Sequence, residues 1–143
     1  MINRDTIETD IWNVLYNCLK VINPLSTTNI HSSYNSVLIE KQGYPQVIIN
    51  PPGVSFEKET VTGNYTRSEI SVNISLYTIS SETLKSLKGE VTSSLLKGRT
   101  YLSGEGMKNM NIGEGDYGNW SEANKRVHRY EFSVTFRFIV DES

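Results

Sequence analysis

Gly113, Gly115 and Gly118 lie in the run IGEGDYG (112–118) at the spacing of the fingerprint that cradles a dinucleotide pyrophosphate. That chemistry needs a buried strand running into the glycines and a helix leaving them, because the phosphate sits on the helix N-terminus. Here the preceding MKNMN (107–111) makes a poor central strand, and the following NWSEANKRVHR (119–129) has no apolar stripe. Glu114 and Asp116 would also set carboxylates beside phosphate. The residues read better as flexible glycines in a mobile loop, and no cofactor is expected.

The other reactive side chains are few. Cys18 is the one cysteine, which rules out an internal disulfide and a cysteine-rich zinc site. It falls on the apolar face of a helical stretch, where an inert buried thiol is the commoner case. His31 and His128 have no second ligand at metal spacing, so no metal site is expected. Glu105, Glu114, Asp116 and Glu122 could gather a cation only if their loop folded on itself, and they do not follow the calcium-loop pattern. Lys125, Arg126, His128 and Arg129 form the densest basic cluster, either a contact for an acidic partner or a charged strand entrance beside Glu122 and Glu131. Tyr117 and Trp120 stand in a polar loop, as interface anchors or folded back on the core.

The chain has 143 residues, 37% of them hydrophobic and 21% charged, enough for one domain with a core of its own. A formal charge of −2 argues against a dedicated nucleic-acid binder. The N-terminus MINRDTIETD reads as no signal peptide, and no run approaches the ~20 apolar residues of a membrane span. Soluble protein made inside the cell is the expectation. Asn64, Asn73 and Asn119 open N-x-S/T triplets that carry no weight without a secretory signal.

Periodicity defines the elements. Ile7, Ile11, Val14, Leu15, Cys18 and Ile22 recur at helical spacing, predicting a helix over 5–22 with an Asp5/Glu8 capping box and a stop at Asn23-Pro24. Residues 24–36 read as loop. Short strands are predicted at 37–41, 45–50 and 54–61, with a turn at Gly63-Asn64. Strict alternation predicts long strands at 67–80 (Ile70, Val72, Ile74, Leu76 inward) and 128–140 (Tyr130, Phe132, Val134, Phe136, Phe138, Val140 inward). Between them Leu84, Leu87, Val91 and Leu95 form the stripe of a second helix, capped by Ser80 or Ser81 and stopped at Gly98. Residues 98–126, with six glycines, read as a long loop interrupted by a short strand near 107–112. The fold class is therefore α+β: a single domain, mainly antiparallel sheet with two helices on one face, in the order α-β-β-β-β-α-(β)-β.

A strand over 128–140 would be about 43 Å long, against about 37 Å for the diameter of a compact chain this size. Either it twists sharply, or a bulge or bend shortens it, or it projects; projecting edges pair with neighbours, which suggests a homo-oligomer.

YPQVIIN after the first helix, RSEISVNISLYTIS running into SETLKSLKGEVTSSLL, and the closing HRYEFSVTFRFIV together resemble the tail terminator (tail completion) and neck proteins of tailed bacteriophages. The resemblance covers roughly 5–140. It implies a small α+β subunit in a ring, often six-fold, that caps the tail tube in the virion and meets the head connector. DNA would pass through the lumen without sequence-specific contact. It implies a structural protein and not an enzyme, with a head-completion or connector protein as the alternative. A small ligand-binding domain or enzyme is the rival, drawing on Arg129, Glu131 and Arg137. On the structural reading, subunit contacts are expected on 67–79 and 128–140. Docking to tube or connector is expected on 103–120, with Tyr117 and Trp120 as anchors; Glu114, Asp116, Arg129 and Arg137 are the further interface candidates. Deleting 104–118 would then spare folding and impair assembly.

Overall fold

Two long antiparallel strands carry the architecture. In the computed structural model, which describes residues 6–27, 29–32, 45–50, 53–59, 65–122 and 125–141, β4 (Tyr65–Thr78) pairs with β7 (Lys125–Asp141). The register is unbroken from Tyr65 opposite Asp141 to Thr78 opposite His128. No bulge interrupts the pairing of these two strands. β4 has 14 residues, about 46 Å.

Each long strand is flanked on its outer side by two short ones laid end to end. Beside β4 lie β2 (Gln46–Ile49), opposite 74–77, and β3 (Gly53–Glu59), opposite 65–71. Beside β7 lie β5 (Lys108–Ile112) and β6 (Asp116–Glu122), the latter opposite 125–131. A two-residue β1 (Ile30–His31) adds to β2 as the one parallel pair among the described strands. The edge pairing behind the subunit contacts expected on 67–79 and 128–140 is taken up within the chain: β4 and most of β7 are hydrogen-bonded on both sides, and among the described strands the free edges belong to the short flanking ones.

One sheet face is covered by helices. α1 (Ile7–Asn17) continues into a π-helical turn (Cys18–Ile22), and α2 (Ser81–Lys97) is followed by a short α3 (Arg99–Gly104). Ile70, Val72, Ile74 and Leu76 of β4 and Tyr130, Phe132, Val134 and Phe136 of β7 meet Leu84, Leu87, Val91 and Leu95 of α2 in one core. Fully burying each such aliphatic side chain contributes roughly 1.5–3 kcal/mol. The 17 residues of α2 span about 26 Å, little more than half the ribbon. The side chains of Phe138 and Val140 lie outside the described part.

The π turn alters the first helix's apolar face. Asn23 N–H bonds the Cys18 carbonyl at 3.0 Å, five residues back, and the extra residue in the turn rotates the side chains beyond it. Leu19 enters the core while Ile22, expected on the stripe, swings out to 43% exposure. Helix α1 starts at Ile7, and the predicted capping residue Asp5 lies outside the described residues. So do the predicted strand 37–41 and the Gly63-Asn64 turn.

Ser80 caps α2, its hydroxyl accepting from the Thr83 N–H at 3.3 Å. Gly98 ends it for a different reason than backbone freedom. A Cβ there would meet Cys18 Sγ at 2.4 Å, so glycine lets the two helical layers close.

The largest correction concerns 98–126. This stretch is α3, β5 and β6: the short strand expected near 107–112 is β5, and α3 and β6 form where loop was expected, β6 adding to the edge of β7. Leu102 and Met107 enter the core. Deleting 104–118 would remove β5 and open β6, so the expectation that folding survives it is not supported. Likewise Ile30 and His31, expected in a loop, form β1.

Candidate functional site

Side chains alternate along β6, which divides the expected interface residues between two faces. Asp116, Gly118, Trp120 and Glu122 pair with Glu131, Arg129, Val127 and Lys125, on the face away from the helices. Tyr117, Asn119 and Ser121 pair with Tyr130, His128 and Arg126, on the helix side. The two aromatic anchors thus point in opposite directions. The basic cluster divides in the same way, Lys125 and Arg129 from Arg126 and His128, so it forms no single patch.

On the helix side, Tyr117 is held by a clamp of aromatic rings and one cation. Its ring lies on Tyr130 at 4.7 Å, and Tyr130 stacks on Phe132 at 5.6 Å. Lys88 of α2 donates to the Tyr117 hydroxyl at 3.1 Å. The ammonium sits 5.3 Å from the Tyr117 ring centre and 4.4 Å from that of Tyr130, within cation–π range. The hydrogen bond to Tyr117 raises the Lys88 pKa, so the charge persists at neutral pH. Just upstream, the Gly115 N–H donates to the Tyr130 hydroxyl at 3.0 Å. A Cβ at Gly115 would lie 2.1 Å from the Glu131 carbonyl oxygen, which accounts for this glycine by close packing. No helix comes after the glycines, only β6 and β7, so a phosphate cradle has no helix N-terminus here.

The opposite face is polar and exposed over part of its length, while Gln46, Ile48, Ser75 and Val127, which the register places on the same side, are buried. Trp120 packs edge-on against Tyr77 at 5.8 Å and donates its Nε1–H to Glu122 at 3.1 Å. Arg129 lies 3.7 Å from Glu131, and Arg137 pairs with Glu69 at 3.2 Å. Both pairs are at least 38% exposed, and such pairs contribute little to stability. Ser133 donates to Asn73 Oδ1 at 2.8 Å, and Asn50 bridges the Asn73 carbonyl and the Ser75 hydroxyl. Arg129, Glu131 and Arg137, the residues of the rival enzyme reading, lie along this face, Arg129 and Glu131 balancing each other and Arg137 balanced by Glu69.

Elsewhere the candidate chemistry is dispersed. Cys18 is buried, and burial pushes its thiol up to about 11, which keeps it protonated and unreactive at neutral pH. His31 shares a sheet face with Ile48, whereas His128 lies on the helix side. Asp116 and Glu122 are six strand steps apart, about 20 Å, so the acidic quartet does not converge. Among the described residues no three His, Cys, Asp or Glu side chains gather as metal ligands. Two shallow hollows of about 310 and 370 Å³ flank α2, meeting at Glu90. The Glu90 carboxylate is already taken by the Ser26 N–H and hydroxyl, at 3.0 and 2.9 Å. No helix of the described residues is long and apolar enough to cross a membrane.

The edge beyond β7 remains. β5 is interrupted by a register shift between Lys108 and Asn111, with Asn109 at a positive φ of 55°. Such a bulge blunts an edge against further pairing. β6 pairs residue for residue over seven positions, and among the described residues no strand covers its outer side. β6 is thus a regular, uncovered edge carrying Trp120 on one face and Tyr117, 56% exposed, on the other. Sequence reasoning found these aromatic residues and missed the strand that presents them. Its signal was weak, because neither face of DYGNWSE is consistently apolar.

No protein-family model matches the chain, and no curated protein matches it. Among solved structures, it is similar to a chain from the virion of a native gene transfer agent particle, with a TM-score of 0.49 and 10% identity over 89% of this chain and 94% of that one.

Proposed function

We propose that this chain is a structural protein of a phage virion, assembling with copies of itself into a ring that ends the tail tube and joins it to the head connector. The observation that carries the reading is the regular, uncovered edge of β6 at the rim of a ribbon longer than its helix layer. A strand edge with unpaired N–H and C=O groups is completed by another chain. Symmetric pairing of β6 with β6 about Asn119 would set Asp116 opposite Glu122 twice, and like charges directly opposite are destabilising. Contact between different edges is favoured instead, and such head-to-tail contacts make a ring where the rotation between subunits closes. The element order that resembles tail terminators supports the same reading, with a six-fold ring and DNA crossing the lumen without specific contact. On this reading Trp120, Asp116 and Arg129 serve the open face, and Tyr117 and Glu114 the helix-side rim. Arg137 serves the far end of the open face.

Light scattering across a concentration series tests it. The wild-type chain is expected to assemble into a discrete oligomer. Asn119→Lys with Ser121→Lys, placing lysines on the edge, is expected to raise the concentration needed by tenfold or more with little change in thermal stability. A wild-type chain that stays monomeric, or a double variant that assembles like the parent, would overturn the proposal.

A further inference from the structure

We infer that Lys88 is a positioning residue, acting through Tyr117 and Tyr130 to hold β6 in its docking pose before any partner arrives; this rests on the reading of β6 as an assembly edge. β6 meets the rest of the sheet through β7 alone, and its exposed side chains give it little burial of its own. Weakly buried edge strands open locally at low cost. The contacts that tie this one down lie at its start. Lys88 reaches from α2 to bond Tyr117 and to face two rings, while Gly115 is pinned beneath the Tyr130 hydroxyl. These contacts tie α2 to the β6–β7 hairpin, 29 positions on from Lys88 at Tyr117, and they converge near the start of β6. The clamp is also chemically specific. It needs a cation, which Met cannot supply and Arg can. Tyr117 is more than half exposed, so the clamp stabilises a pose without building core. An edge already ordered binds more tightly than one that must be ordered on contact.

The test compares Lys88→Met, Lys88→Arg and Tyr117→Phe by amide hydrogen exchange and by assembly. Lys88→Met is expected to speed exchange over 115–121 by about tenfold, with 130–136 unchanged, and to raise the assembly concentration several-fold. Lys88→Arg is expected to restore both, and Tyr117→Phe, which keeps the ring and loses the hydroxyl, to fall between. Unchanged exchange over 115–121 in Lys88→Met, or a uniform increase across the whole sheet, would overturn the inference. So would failure of Lys88→Arg to restore the parent values. The two readings fail separately. A wild-type chain that never assembles sinks the ring proposal, while the exchange comparison still decides whether Lys88 holds β6.

Discussion

The two faces of the sheet use the same backbone for opposite ends. On the helix side, every described inward residue of β4 from Ile70 to Leu76 is at 0% exposure, and its partners on β7 are at most 5% exposed. On the other side, hydroxyls, amides and exposed ion pairs satisfy one another around Asn73 and Arg137, and Gln46, Ile48, Ser75 and Val127 are buried. The first face makes the fold and tolerates little change. The exposed part of the second leaves room for a partner, and on the proposed reading its residues answer to assembly more than to stability.

The contrast predicts a graded series. Phe136→Ala empties the largest fully buried site and is expected to cost about 3–5 kcal/mol in urea unfolding. A cost under ~1 kcal/mol would mean that the helix layer is loosely packed there. Gly98→Ala drives a methyl toward the buried Cys18 sulfur and should cost about 1–3 kcal/mol. Cys18→Ala should relieve much of it, so the double-mutant cycle should give a coupling near 1 kcal/mol or more; additive costs would show that the close approach is not the cause.

Cys18 also predicts a pH dependence. Its thiol is raised from 9.0 to about 11 in the folded chain. Above the ordinary thiol value the unfolded state loses a proton that the native state keeps, so stability falls as pH rises between about 9 and 11. Denaturant midpoints over that window should drop in the parent and drop less in Cys18→Ala; equal slopes would contradict the assignment. On the open face, Arg137→Gln should change stability by less than about 0.5 kcal/mol, as for exposed ion pairs generally. A larger loss would mean that this face is part of the fold after all.

How much of this was legible from residues alone depends on the face. β4, β7 and α2 announce themselves, because one-sided burial imposes a period of 2 or 3.6 on apolar residues, and Ser80 and Gly98 punctuate the helix. β6 does not, because an edge strand open on both faces carries no such period. It is a strand because β7 offers it hydrogen-bond partners, a tertiary cause. The same reasoning explains the missed β1, two residues long and held by β2. The π turn after α1 escaped because helical spacing assumes 3.6 residues per turn throughout. Tyr117 and Trp120 were legible as candidates, but their division between faces depends on the pairing of β6 with β7, and the Lys88 clamp between Tyr117 and α2 on contacts across 29 positions of sequence.

The central claim is that the uncovered edge of β6 is completed by another subunit. Negative-stain imaging of the purified chain above its assembly concentration, parent beside Asn119→Lys/Ser121→Lys, tests it most directly. The account predicts closed rings of uniform diameter for the parent and isolated small particles for the variant. Isolated particles for the parent, or identical rings from both, would contradict it.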